Sequence, residues 1–237
     1  MKLCLHKMAF MQSFTTASSQ NNRKQAGTTK EFSLKREERS EAFLIEYLQE
    51  DSMREAFFMA DILVALDAGH GGANPGAVYD GRKESEDALN LVLAIGPILE
   101  ANGIQVYYTR TEDVFETPYQ KAQEANAVGA DYFVSIHRNS SPYPNQYSGV
   151  ESLVYNRYSR AAVLAFHINE QLEEVGFVNL GVNERPNLIV LNSTQMPAVL
   201  VEVGFINTEA DNLLFDSAFD EIAAAIAEGI IQTVNQE

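Results

Sequence analysis

In this 237-residue chain the residues whose types could do chemistry stand at the ends of short apolar runs. Asp67-Ala68-Gly69-His70-Gly71-Gly72 follows the run Ile62 to Leu66, and its small residues let the backbone turn tightly while one imidazole stays in the open. A second imidazole, His137, lies in Ser135-Ile136-His137-Arg138-Asn139-Ser140, again after an apolar run. Leu200-Val201-Glu202-Val203-Gly204-Phe205 sets a single carboxylate in apolar surroundings. Two imidazoles at one sheet edge invite a divalent metal, and a catalytic zinc takes three protein ligands and leaves its fourth position to water. Glu84, in the turn Asp80-Gly81-Arg82-Lys83-Glu84 ahead of a helix, is the best third ligand, because a helix N-terminus favours the ionised form that binds metal. His70, Glu84 and His137 are 14 and 53 residues apart, so strand ends rather than spacing carry this assignment. Zinc held there would acidify a water and polarise a substrate carbonyl. Glu202, desolvated among Leu200, Val201, Val203 and Phe205, would have the raised pKa of a general base that then acts as general acid.

Each assignment has a rival. A lone histidine after a strand more often makes structural hydrogen bonds, whereas two at neighbouring strand ends favour metal. Glu84 could be a solvated charge, and Glu86 and Asp87 beside it compete for the ligand position. Glu151, in the next strand, is a rival base or ligand, or a half-exposed strand residue. Glu202 has the least room for a bland role, since a carboxylate in a core strand is costly unless paired or functional. His6, ahead of the domain, and His167, within a helix, are expected to be uninvolved.

From Asp61 onward, apolar runs alternate with helical segments, which predicts an α/β fold: a single domain, a largely parallel twisted sheet with helices on both faces. In such a sheet ligands collect outside the carboxyl ends of the strands, where these residues stand. The predicted strands are Ile62–Leu66, Gln105–Thr109, Tyr132–Ile136, Val150–Tyr155, Leu188–Leu191 and Ala198–Val203. The predicted helices are Glu86–Asn102, Pro118–Val128, Tyr158–Val175 and Phe219–Val234. In the first of these, Ser85 is the expected cap, Gly103 the stop, and Gly96-Pro97 the point of a kink or break. The catalytic domain is thus expected over 61–237, and residues 1–60 form a poorly ordered N-terminal extension. Within it, residues 12–30 are too polar to order, and one amphipathic helix is expected between Glu31 and Phe58. Met53 or Met59 could be the native start.

Composition narrows the function classes. Net charge is −16, with an isoelectric point near 4.6, and residues 1–60 hold 9 basic and 8 acidic residues. The remainder holds 8 basic and 25 acidic residues, net −17, which excludes a nucleic-acid partner that needs clustered cations. Cys4 is the sole cysteine, so metal ligation must come from His and carboxylates. No run reaches the roughly 18 apolar residues of a membrane span, and no clean secretory signal precedes the domain.

Together, ILVALDAGHGG from Ile62, Pro75-Gly76-Ala77, Gly81-Arg82-Lys83-Glu84, VSIHRNS and MPAVLVEVGFIN from Met196 resemble the zinc-dependent N-acetylmuramoyl-L-alanine amidases, the type-3 cell-wall amidases. The resemblance covers Asp61 to about Ile231. It implies one zinc ion per domain on His70, Glu84 and His137, and Glu202 as the catalytic glutamate. It further implies that Asn139 lines the cleft and that Arg185 and Asn187 contact substrate. The implied partner is peptidoglycan or its muropeptides, cut between N-acetylmuramic acid and L-alanine by a monomer made in the cytoplasm and acting on the cell wall. The segment SPYPNQYSG, Ser141 to Gly149, carries no helical insertion, so the cleft is expected to be open. Two readings from other classes stand beside this: a non-catalytic peptidoglycan-binding relative, and a dinucleotide-binding protein. The nucleotide reading fails because Gly69-His70-Gly71-Gly72 lacks the third glycine at GxGxxG spacing.

Overall fold

Runs of β-branched and aromatic residues form the strands, and helices with apolar positions three and four apart cover them. The computed structural model describes residues 62–236. The disorder expected at 12–30, the helix expected between Glu31 and Phe58, His6, and the starts at Met53 and Met59 all lie outside these residues. In chain order, β1 is Leu63–Ala68, β2 Val78–Tyr79, β3 Arg82–Lys83, α1 Glu84–Ala101 and β4 Gln105–Tyr108. Next come α2 Pro118–Val128, β5 Tyr132–Asn139, β6 Val150–Val154 and α3 Arg160–Val175. β7 Asn179–Glu184, α4 Ile189–Asn192, β8 Ala198–Phe205, α5 Glu209–Ser217 and α6 Phe219–Val234 complete the fold.

The six-stranded sheet has the order β4-β1-β5-β8-β6-β7. β4, β1, β5 and β8 run parallel, while β6 is antiparallel to β8 and parallel to β7. The expected largely parallel α/β sheet is present, with this reversed pair at one edge. Alternate residues of each strand face opposite sides. Val64, Leu66, Val134, Ile136, Val199, Val201 and Val203 enter the larger core with α1, α3 and α6. Ala65, Phe133, Leu153 and Leu200 enter a smaller core with Ala125 of α2 and with Val190 and Leu191. Helices therefore cover both faces, the second one less completely.

Several local expectations are corrected. Leu188–Leu191 is not a strand: Leu188 is the N-cap of α4, a single turn that drops Val190 and Leu191 onto the smaller core. Burial makes a short apolar run look alike in either state. The edge strand β7 and the helix α5 were not expected; β7 carries Asn, Gly and Glu, and its register comes from pairing with β6. α1 begins at Glu84, with Lys83 rather than Ser85 at the N-cap, and runs unbroken through Gly96 and Pro97. α2 matches its prediction because its ends are written locally: a Thr117–Gln120 capping box, Pro118 in the first turn and left-handed Gly129 at the end.

Candidate active site

Strand parity puts the chemistry on the thinly covered face. Asp67 shares a face with Ala65, Ser135 and His137 with Phe133, and Glu202 with Leu200. In register across the sheet, His137 pairs with Glu202 and Glu202 with Glu151, so one imidazole and two carboxylates lie in one row.

The loop after β1 brings His70 to the row. His70 adopts φ 58, a left-handed conformation that non-glycine residues seldom take outside functional sites. Buried cations hold the loop carbonyls: Arg110 Nε donates to Ala68 O at 3.0 Å and its Nη2 to Gly69 O at 2.8 Å. Lys121 Nζ donates to Ala68 O and pairs with Asp67 Oδ1 at 2.7 Å. Thr109 and Ser135 hydroxyls also donate to Asp67. Burial pushes the Asp67 carboxyl up, yet Lys121 and the two hydroxyls together hold it below its ordinary value. Lys121 and Arg110 escaped the sequence reading. Their only local signal is a cation beside residues such as Ala122 that must be buried.

His70 Nε2 lies 3.0 Å from Glu84 Oε1, and His137 Nδ1 lies 2.7 Å from the same oxygen. One donor atom from each residue falls within 4.8 Å of the others, so the three can hold a metal ion. The imidazoles meet edge to face, centroids 4.9 Å apart. His70 Nδ1 contacts Asn74 Oδ1 at 3.2 Å, which leaves Nε2 toward the shared point. Glu84 Oε2 accepts from the Ala77 backbone N–H at 2.8 Å. Burial raises the Glu84 carboxyl, but hydrogen bonds and charge from His137 and His70 outweigh it and hold the group well below the usual carboxylate range. An ionised carboxylate between two imidazoles is the form a metal requires. Two glycines are needed for close approach: a Cβ on Gly69 would sit 2.4 Å from the His137 ring, and one on Gly76 2.5 Å from Glu84 Oε2.

Glu202 is part-buried, and its Oε2 is shielded from solvent with no hydrogen-bond partner among the described residues. Burial, then the charges of Glu84 and Glu151, push its carboxyl up to about 8 against the pull of Arg138. Glu151 is tied on both oxygens: Asn139 Nδ2 donates at 2.8 Å and Asn183 Nδ2 at 2.9 Å. Asn139 therefore lies beside Glu151, and Asn183, unnoticed in the sequence, reaches the same carboxylate from β7. Arg185 and Asn187 are exposed in the turn after β7, level with the start of β8 rather than with Glu202. Neither Glu86 nor Asp87 enters the metal cluster. His167 is buried between helices, with Nδ1 2.9 Å from Thr233 Oγ1.

A family model described as N-acetylmuramoyl-L-alanine amidase matches residues 64–232. The endolysin of Bacillus phage SPP1 is 37% identical over 183 residues, covering 73% of this chain and 66% of that protein. The sporulation-specific N-acetylmuramoyl-L-alanine amidase of Bacillus subtilis (strain 168) is 34% identical, covering 73% of this chain and 69% of that protein. A crystal structure of an N-acetylmuramoyl-L-alanine amidase from Clostridium difficile 630 superposes with a TM-score of 0.70 at 28% identity, covering 74% of this chain and 98% of that one.

Proposed function

We propose, from the premise that this chain belongs to the N-acetylmuramoyl-L-alanine amidase family, that one zinc ion on His70, Glu84 and His137, with Glu202 as proton carrier, performs its hydrolysis of the muramoyl–alanine amide. The observation that carries this is the meeting of three donor atoms within 4.8 Å beside a sheltered, unpartnered Glu202 oxygen. The donor set fits zinc, because two imidazoles and one carboxylate leave a position for a reacting oxygen. When bound, the ion supplies Lewis acidity to the scissile carbonyl and to the attacking water.

Glu202 takes the proton of the attacking water and returns it to the alanine nitrogen as the C–N bond breaks. Its desolvated surroundings keep it a strong enough base for the first step and an acid for the second. Glu84 and His137 are fixed by strand and helix, and His70 by the loop that Arg110 and Lys121 pin, so the donors need little rearrangement. Asn139, held against Glu151, presents its amide along the cleft floor for the muramoyl or peptide backbone. The ligands, the base and the floor come from one chain, and a monomer suffices. Peptidoglycan or a soluble muropeptide is the substrate on this reading.

The test is to incubate the purified chain with peptidoglycan, with and without a chelator, and to identify the new chain end. A new L-alanine amine that chelator suppresses is the expected product. A new reducing sugar, or no cleavage beside intact binding, would instead support a glycan hydrolase or a non-catalytic relative.

A further inference from the structure

Behind the metal ligands, on the opposite face of the sheet, lies a cluster of buried charge. Arg138 follows His137 in β5 and is 2% exposed. Its Nη1 donates to Asp87 Oδ2 at 2.6 Å, its Nη2 to Asn212 Oδ1 at 2.8 Å, and its guanidinium carbon lies 4.1 Å from the Phe215 ring centroid. Asp87 stands one helical turn beyond Glu84 in α1. Arg82 Nε donates to the same Asp87 oxygen at 2.6 Å, and Arg82 grips both oxygens of Asp216 at 3.1 and 2.7 Å. The Arg138 backbone N–H meets Glu84 Oε1 at 3.3 Å.

A buried ion pair is a poor device for stability alone, because apolar side chains of similar volume often serve as well or better. Its distinctive property is direction. A guanidinium fork holds a carboxylate in one geometry, and here the partners, 51 residues apart in sequence, are rooted beside the proposed ligands Glu84 and His137 on two different elements. We infer that the Asp87–Arg138 pair is a clamp between α1 and β5 that sets the separation of Glu84 and His137, and with it the affinity for a divalent metal. Asp87 and Arg138 are positioning residues, and their role rests on the metal site proposed above. Arg82, Asn212 and Phe215 hold the clamp from its outer side.

Zinc dissociation constants, measured by competition with a chromophoric chelator, test this for the wild-type chain, Arg138→Lys, Asp87→Asn and the double variant, alongside metal-free melting midpoints. Each single change is expected to weaken zinc binding about 10-fold, the lower end of the effect of losing a group bonded directly to a ligand, because these two side chains act on the ligands through the backbone of α1 and β5. The double variant should bind no more weakly than the weaker single, because both changes open one clamp. Affinity within twofold of wild type in a folded variant overturns the inference, as do losses that simply multiply. Should the buried changes prevent folding, Arg82→Met and Asn212→Ala, at partly exposed sites, decide it. A several-fold loss of zinc affinity supports the clamp, and an unchanged affinity overturns it. A wild-type chain that binds no zinc overturns the metal site itself and the clamp with it, whereas zinc binding that the variants retain overturns the clamp alone.

Discussion

Glu202 sits in register between His137, a ligand on the proposed reading, and the carboxylate of Glu151, with apolar neighbours along its own strand. Glu202→Gln preserves shape and removes the proton carrier, so muropeptide release is expected to fall about 10²–10⁴-fold while zinc binding persists. Activity and metal content measured on one preparation check this. The same group leaves a mark on metal-free stability. With its pKa pushed up to about 8, the folded chain keeps a proton that the unfolded chain has released above its ordinary value near 4.5. Stability is therefore expected to fall as pH rises from about 4.5 to 8, by on the order of a few kcal/mol, and Gln at 202 should flatten that slope. Glu84 acts in the opposite sense: its carboxyl is held low, so its contribution is present above its ordinary value and is lost as pH falls through its lower folded value. Urea midpoints across pH, with and without Glu202→Gln, separate the two.

The loop after β1 is positioned from below rather than by its own sequence. Lys121 reaches it from α2 and Arg110 from the end of β4. Lys121→Met would leave Asp67 buried without its cation, and a loss of about 3–5 kcal/mol in metal-free urea unfolding is expected. Gly69→Ala tests the close approach to His137, since its Cβ has to displace the imidazole. Zinc affinity should drop by at least about 10-fold. Elements with local end signals or long periodic faces, such as α2 and α6, were readable residue by residue. The run 188–191 and strand β7 were not, because pairing and burial supplied by other segments decided their state.

At the scale of the molecule, zinc at the proposed site would link metal binding to folding. A chelator is expected to abolish activity and to lower the melting midpoint, and added zinc should restore both. At free zinc about 100 times its dissociation constant the folded state gains about 2.7 kcal/mol, which calorimetry with and without chelator reads directly. The net −17 after residue 60 does not favour adsorption to anionic wall polymers by charge alone.

The linear chain by itself determined the α/β class and singled out His70, His137 and Glu202 as candidates for chemistry. These follow from apolar periodicity and from the cost of placing a polar group in a strand. Glu84 was one of three acidic residues in a turn. Only the tertiary structure chose it over Glu86 and Asp87, by turning its carboxylate between His70 and His137. Asp87, passed over as a ligand, points instead at Arg138 on the far face. Arg185 and Asn187 take their level from the reversed β6–β7 pair, which sets them beside the start of β8. Residue type sets what a side chain can do chemically. Which group it meets depends on strand direction, register and burial, and those are settled by contacts between segments far apart in sequence.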